Sequence, residues 1–310
     1  MITMKINIES RRNWMSWIDL HMHSNISSDG QFTPSELMHL CAENDVQVAA
    51  LADHNSIRGV AEAANQARKE NLEFIPGVEL DCIFNEVSLH VLGLDIDSTQ
   101  PFFSEIDRFM TQQEQYLSQK FIEQVEKLGI YLDHTELWKN AIHGIVTPEV
   151  IAEFALAHPN NADNPILKDY RKGEKFGDNP FVNFYWNVCA PGKPAHVPSK
   201  LISLYEAIEG IKNAGGIPIL AHPGNNIGVN KELALDIIKA GLMGFEVFSS
   251  YHTPEQTAFY QALANEQNVW MTVGSDFHGK TKPQVRLGGV SCNDQEDQIY
   301  QQFKTARNHQ

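Results

Sequence analysis

The chain has 310 residues, with 39 Asp and Glu against 24 Lys and Arg, a formal charge of −15 when its histidines are neutral. This balance, with no basic run, excludes a surface that coats duplex nucleic acid by neutralising many phosphates, and a polybasic membrane anchor on the same ground. No stretch approaches the ~20 apolar residues of a membrane span, and residues 1–16 lack the apolar core of a signal peptide. They read as an N-terminal extension, with Met15 an alternative start, and the expected location is cytoplasmic.

From Trp17 the chain alternates short apolar runs with amphipathic segments. Residues 17–20 form an apolar run that ends in His21-Met22-His23. Thr33-Pro34-Ser35-Glu36 supplies an N-cap with Pro in the first turn, predicting a helix over 35–44. Residues 46–52 have the composition of a buried parallel strand and end at Asp53-His54. A helix over 59–70, a strand over 73–80 carrying Glu79, and a hairpin over 82–94 presenting His90 follow.

The pattern changes between 101 and 199. Residues 109–128 are Gln-rich and amphipathic, 147–157 form a second capped helix, and 159–198 are rich in Asn, Pro, Gly and aromatics. This segment is expected to be a mainly helical insertion that covers the active-site face of a domain built from 17–100 and 200–310. The alternation then resumes with helices over 201–213, 231–240, 254–267 and 295–305 and strands over 217–221, 244–248 and 269–273.

Thirteen histidines are what the composition leaves unexplained. Cys41, Cys82, Cys189 and Cys292 are scattered with no C-x-x-C pair, as expected of reduced thiols, so a metal site must draw on His and carboxylates. Successive strands end in such residues: His21 and His23, Asp53 and His54, Glu79, His222, then Asp276 and His278. In a parallel barrel these ends converge on one face, where active sites are built. His21 and His23, two apart on extended chain, project to the same side, as do Asp276 and His278. A single histidine in such a position is more often a surface or hydrogen-bonded residue, but a series at consecutive strand ends is a metal-ligand pattern.

The segments Asp19-Leu20-His21-Met22-His23-Ser24, Ala52-Asp53-His54-Asn55, Pro76-Gly77-Val78-Glu79, His90-Val91-Leu92-Gly93, Ala221-His222-Pro223-Gly224 and Gly274-Ser275-Asp276-Phe277-His278-Gly279 occur in that order. In these the chain resembles the PHP family, the polymerase and histidinol phosphatase family of metal-dependent phosphoesterases, across about residues 17 to 290. The resemblance implies an α/β fold, a distorted TIM-like barrel of seven βα units, holding two or three divalent ions. It implies one ion on His21, His23, Glu79 and Asp276, a second on Glu79, His90 and His222, and a third on Asp29, His54 and His278. Asp53 matches an acidic position beside a metal-binding histidine and is expected to orient an imidazole; Glu246 also matches a motif, with its role open. Mixed imidazole and carboxylate ligands suit Mn²⁺, Zn²⁺ or Fe²⁺ without selecting among them. The implied reaction is hydrolysis of a phosphate ester by a metal-activated hydroxide.

The insertion resembles that of the family's nucleoside bisphosphate phosphatase and 5′-3′ exoribonuclease branch, so the expected substrate is a nucleotide, a nucleoside 3′,5′-bisphosphate or a short single-stranded oligonucleotide. A histidinol-phosphatase-like enzyme and a non-catalytic metal-binding module are the alternatives. Asn225-Asn226 stands where those relatives often carry Arg and Tyr, removing a bidentate phosphate contact unless Lys193 or Arg286 supplies the charge. Lys193, His196 and Arg286 are therefore candidate substrate contacts, and His252 a candidate proton donor to the leaving group. Phe181, Phe184, Tyr185 and Trp186 either stack on a base or pack the insertion. Three divalent ions against Asp29, Glu79 and Asp276 leave a pocket of about +3 inside an acidic protein.

Overall fold

The computed structural model describes residues 16–141 and 144–307; the expected extension up to residue 15, His143 and His309 lie outside the described residues. Two compact units are formed: Arg108–Lys200 is one, and the chain on either side of it makes the other.

The larger unit is a barrel-like sheet. Its strands are β1 (Ile18–Asp19), β2 (Val48–Leu51), β3 (Glu73–Phe84), β4 (Val87–Leu94), β5 (Ile202–Ser203), β6 (Ile217–Leu220), β7 (Gly244–Ser249) and β8 (Trp270–Gly274). The path runs β1-β2-β3-β4-β6-β7-β8, with β5 paired to β3. Leu20 N–H donates to Val273 C=O at 3.0 Å, and Met22 bridges Phe277, bringing the first and last strands together. The helices α1 (Pro34–Glu43) and α2 (Val60–Glu70) follow the first two strands. The expected helix start holds: Thr33 and Glu36 form a capping box with Pro34 in the first turn.

The fold departs from seven uniform βα units at β4. It returns antiparallel to β3 through a tight turn with no helix between, and it is antiparallel to β6 as well. The turn is made by Asn85 and Glu86, both with positive φ (49° and 65°). β3 also runs on to Phe84 as one strand rather than stopping near residue 80. Buried side chains on both strands favour the longer pairing: Val78, Leu80 and Cys82 of β3, and Leu89, Val91 and Leu92 of β4, are all fully buried.

One core cluster packs Leu37, Met38 and Cys41 of α1 and Ala63 and Ala67 of α2 onto Ala49 and Leu51 of β2 and Met22. The second unit has its own core. It gathers Ile122 and Val125 of α3 (Pro101–Lys127), Leu137 of α4 (His134–Lys139), Ile151 and Ala155 of α5 (Pro148–Ala157), and Phe184 of α6 (Pro180–Phe184). Phe181 and Tyr185 pack against this core, whereas Trp186 is exposed, so the aromatic cluster serves mainly to pack its own unit. The remaining helices α7 (Leu204–Asn213), α8 (Pro223–Asn226), α9 (Lys231–Lys239), α10 (Pro254–Gln267) and α11 (Glu296–Arg307) belong to the larger unit. All four cysteines are free and buried. No helix among the described residues is long and apolar enough to cross a membrane.

Candidate metal centre

Strand ends and two sharp turns bring the ligands to one place. His21 and His23 follow β1, His54 follows β2, Glu79 sits within β3 and His90 within β4. His222 and Asp276 lie just beyond β6 and β8 with φ of 27° and 56°. Such left-handed positions cost an ordinary residue of order 1 kcal/mol or more and persist where surrounding bonds over-determine them. Here His222 N–H donates to Glu246 Oε2 at 2.7 Å and Asp276 N–H to His21 C=O at 2.8 Å.

His21 Nε2, His23 Nε2, Glu79 Oε2 and Asp276 Oδ1 converge. The His21 and His23 nitrogens are 3.1 Å apart. Glu79 Oε2 is 3.2 Å from each of them, and Asp276 Oδ1 is 3.4 and 3.0 Å from them. A tetrahedral ion with ligand bonds of about 2.0–2.1 Å spaces its ligands roughly 3.3 Å apart, so these spacings fit a single ion held by the four residues. The other Glu79 oxygen, Oε1, lies 3.0 Å from His90 Nδ1 and 3.1 Å from His222 Nε2, which defines a second group. Glu79 thus offers one oxygen to each.

The outward nitrogens fix the inward ones. His21 Nδ1 faces Glu246 Oε1 at 3.0 Å, His222 Nδ1 faces Asn226 Oδ1 at 2.6 Å, and His278 Nδ1 faces the Asp276 carbonyl at 2.9 Å. Each of these partners is an acceptor, so Nδ1 carries a proton and Nε2 is the nitrogen left to ligate a cation once it is deprotonated. Glu246, fully buried, therefore has a defined place: one oxygen orients His21 and the other holds the His222 backbone.

The third group differs from the expected one. His54 and His278 come together with His23. Asp29 Oδ2 lies 3.0 Å from His278 Nε2, and Asp29 is absent from the ligand groups that share a common position among the described residues. Asp81 was not anticipated. Its Oδ1 is 3.5 Å from His54 Nδ1 and 3.4 Å from His90 Nε2, and Asn55 donates to its other oxygen at 2.7 Å. The signal was present, since Asp81 is two residues beyond Glu79 on β3 and so on the same face.

The residues present fit divalent cations. Glu79 Oε2, Asp276 Oδ1, Asp81 Oδ1, Asp29 Oδ1, His54 Nδ1 and His278 Nε2 are buried without a hydrogen-bond partner of good geometry. Buried polar atoms left unmade cost about 1–3 kcal/mol each, and cations would satisfy them together. Electrostatics tells the same story. Burial opposes the charged form of His21, but Glu79, Glu246 and Asp276 outweigh it and hold the imidazole pKa well above its ordinary value. Burial likewise opposes ionised Glu79, yet His21, His90 and His54 keep its pKa well below the usual carboxylate range. His278 goes the other way: burial, then His23 beside it, pushes it down to about 4.

Asp53 does not touch an imidazole directly. It accepts from Ser24 N–H, Ser24 Oγ and Ser27 Oγ at 2.7, 2.7 and 2.9 Å, and burial raises its pKa. The Ser27 hydroxyl in turn lies 3.4 Å from His23 Nδ1, so any orienting effect of Asp53 passes through Ser27.

His252 is not placed as a proton donor. Its Nε2 accepts from Gly224 N–H at 2.9 Å, which leaves Nδ1 to donate to Val247 C=O at 2.9 Å. Both nitrogens are committed to backbone, and burial lowers the pKa. His252→Ala should destabilise the protein by about 2 kcal/mol, because Gly224 N–H and Val247 C=O lose their partner. Urea unfolding measures this, and the pH–rate profile of the variant should keep the wild-type shape; loss of one limb would restore the proton-donor role. Arg286 is exposed in the larger unit, and Lys193 and His196 belong to Arg108–Lys200.

A PHP domain model matches residues 19–173. The chain is 30% identical over 270 residues to the 3′,5′-nucleoside bisphosphate phosphatase of Chromobacterium violaceum, covering 85% of this chain and 88% of that protein. This chain belongs to the PHP domain family. It is also 29% identical over 284 residues to the 5′-3′ exoribonuclease Rnm of Escherichia coli, covering 90% of each chain. Among solved structures, an amidohydrolase from Chromobacterium violaceum, with bound sulfate and no metal, matches with a TM-score of 0.72 at 27% identity, covering 93% of this chain and 96% of that one. The PHP fold thus accounts for the barrel-like sheet.

Proposed function

We propose that this PHP protein is a metal-dependent phosphoesterase that hydrolyses phosphate esters of a nucleotide, a nucleoside 3′,5′-bisphosphate or a short single-stranded oligonucleotide in the cytoplasm. The observation that carries this reading is Glu79, whose two oxygens face two separate sets of histidines. The named activities of the relatives from Chromobacterium violaceum and Escherichia coli support the substrate class.

Two or three divalent ions, when bound, would activate water and neutralise the charge of the phosphate. His21, His23, Glu79 and Asp276 would hold one, and Glu79, His90 and His222 a second. His54 and His278, with His23 or Asp29, would hold a third, and Asp81 adds a carboxylate beside His54 and His90. Glu246 and Asn226 keep His21 and His222 in the tautomer that presents Nε2 inward. Asp53, through Ser24 and Ser27, holds the loop after β1 that carries His23. Lys193, His196 and Arg286 are proposed substrate contacts, each read out by the KM of its alanine variant.

The deciding experiment loads purified, metal-stripped protein with Mn²⁺, Zn²⁺ or Fe²⁺. It then compares p-nitrophenyl phosphate, bis-p-nitrophenyl phosphate, nucleoside 3′,5′-bisphosphates, histidinol phosphate and 5′-phosphorylated RNA. Preference for the bisphosphate or the RNA is expected; preference for histidinol phosphate would reassign the substrate, and full activity without metal would overturn the mechanism.

Metal loading should also release protons at neutral pH. The pKa values of His21, His54 and His90 are raised in the metal-free protein, in each case because nearby carboxylates outweigh burial. An imidazole must lose its proton to ligate, so affinity should fall as pH falls, by about tenfold per pH unit for each proton displaced. Titration calorimetry in buffers of different ionisation heat reads the proton count; a value of zero at pH 7 would contradict the charged metal-free state.

A further inference from the structure

The metal groups carry more negative charge than the sequence suggested. Asp81 and Glu246 join Asp29, Glu79 and Asp276, which lowers the surplus in a pocket holding three divalent ions to about +1. A phosphate monoester is a dianion near neutral pH, and the loop after His222 reads Pro223-Gly224-Asn225-Asn226, with no cation in it. Asn226 is occupied with His222 Nδ1. Another cation stands at this site.

Lys282 Nζ lies 2.7 Å from Asp276 Oδ2, the oxygen that does not face His21 and His23. Among the described residues, this is the Lys or Arg ion pair that reaches a member of the metal groups. About a quarter of the Lys282 side chain remains exposed (26%), so its ammonium has donors left for a ligand. The loop that carries it is tied in place: Lys280 N–H donates to Gln31 Oε1 at 2.7 Å and Thr281 Oγ1 to Asp29 C=O at 2.6 Å. Tyr251 is a neighbour, its ring centroid 5.3 Å from Lys282 Nζ and 5.5 Å from the His222 ring. Lys282 Nζ is thus within reach of both the Asp276 carboxylate and the Tyr251 ring, and that ring also neighbours the His222 imidazole.

We propose that Lys282 is a specificity-determining residue that binds the substrate's terminal phosphate monoester beside the Asp276 ligand. With a cation held by His21, His23, Glu79 and Asp276, the Asp276 carboxylate would share its charge and hold Lys282 less tightly, leaving the ammonium free to bind a dianion. A phosphodiester carries one charge fewer and gains less, so Lys282 selects chain ends and small monoesters over internal linkages. The role rests on the phosphoesterase reading above, but its first test does not.

That test measures inorganic phosphate binding to Mn²⁺-loaded protein by calorimetry, with metal content determined by mass spectrometry for each variant. Lys282→Met should weaken phosphate binding at least tenfold at unchanged metal content, and Lys282→Arg should recover most of it. Unchanged phosphate affinity in Lys282→Met, no phosphate binding by the loaded wild type, or loss of metal in step with loss of phosphate would each overturn the proposal; the last would make Lys282 a support for Asp276. In turnover, Lys282→Met should lose at least tenfold in selectivity for p-nitrophenyl phosphate over bis-p-nitrophenyl phosphate. A wild type that binds phosphate through Lys282 yet cleaves no ester would sink the functional reading and leave the binding site standing.

Discussion

Glu79→Gln is expected to abolish activity and to lower metal affinity by more than about 100-fold, the upper end of what changes to outer-shell partners cost. The substitution keeps the shape of the side chain and removes its charge. It strikes both ion groups at once, because Oε2 faces His21 and His23 while Oε1 faces His90 and His222. The amide nitrogen that replaces one carboxylate oxygen also has no lone pair to offer a cation, so one of the two groups loses a ligand atom outright. Loss of Glu79 relieves part of the carboxylate field that holds His21 charged, so the imidazole pKa should fall. Metal stoichiometry after gel filtration checks the first point, and the imidazole resonances of the metal-free variant check the second. Retention of two ions per chain would show that Glu79 does not join the groups.

Gly274→Ala should lower stability by about 3 kcal/mol, the high end for overpacking. A methyl group there would overlap Glu246 Oε1 and His21 Cβ and come within 3.2 Å of His21 N. None of these can yield freely. Leu20 N–H and Asp276 N–H are bonded across to Val273 and His21, and Glu246 is held by the His222 backbone. Glycine is required here for close approach, since its φ is not in the left-handed range. Denaturant unfolding of the metal-free protein isolates this cost from metal binding. A variant as stable as wild type, with full metal content, would show that His21 and Glu246 tolerate displacement.

The histidines at strand ends were legible because strand periodicity and convergence are local rules applied at each strand. His21 with His23, and Asp276 with His278, needed only the two-residue repeat. The same rule, applied one step further along β3, would have found Asp81. Other features were beyond such rules. That His252 serves the backbone of the loop after β6 depends on where Gly224 and Val247 fall in space, 28 and 5 residues away along the chain. Lys282 lies six residues past Asp276 in a stretch without periodicity, so nothing but the folded loop directs it to that carboxylate. The third group is less legible for a related reason: Asp29 follows a turn whose course the sequence does not fix, and of the two expected histidines it meets His278 at ion-pair distance.

The near-closure of the sheet between its first and last strands bears on how the protein reaches its native state. Asp19 accepts from Ser275 N–H, 256 residues away, at 2.9 Å and from Gly288 N–H at 2.8 Å. The loop these contacts close spans most of the chain, and such pairings form late because their entropy is lost before their contacts are gained. The first ion group takes His21 and His23 from one side of this seam and Asp276 from the other. A cation in that group would therefore report on completion of the barrel, and its release on the first opening of the seam.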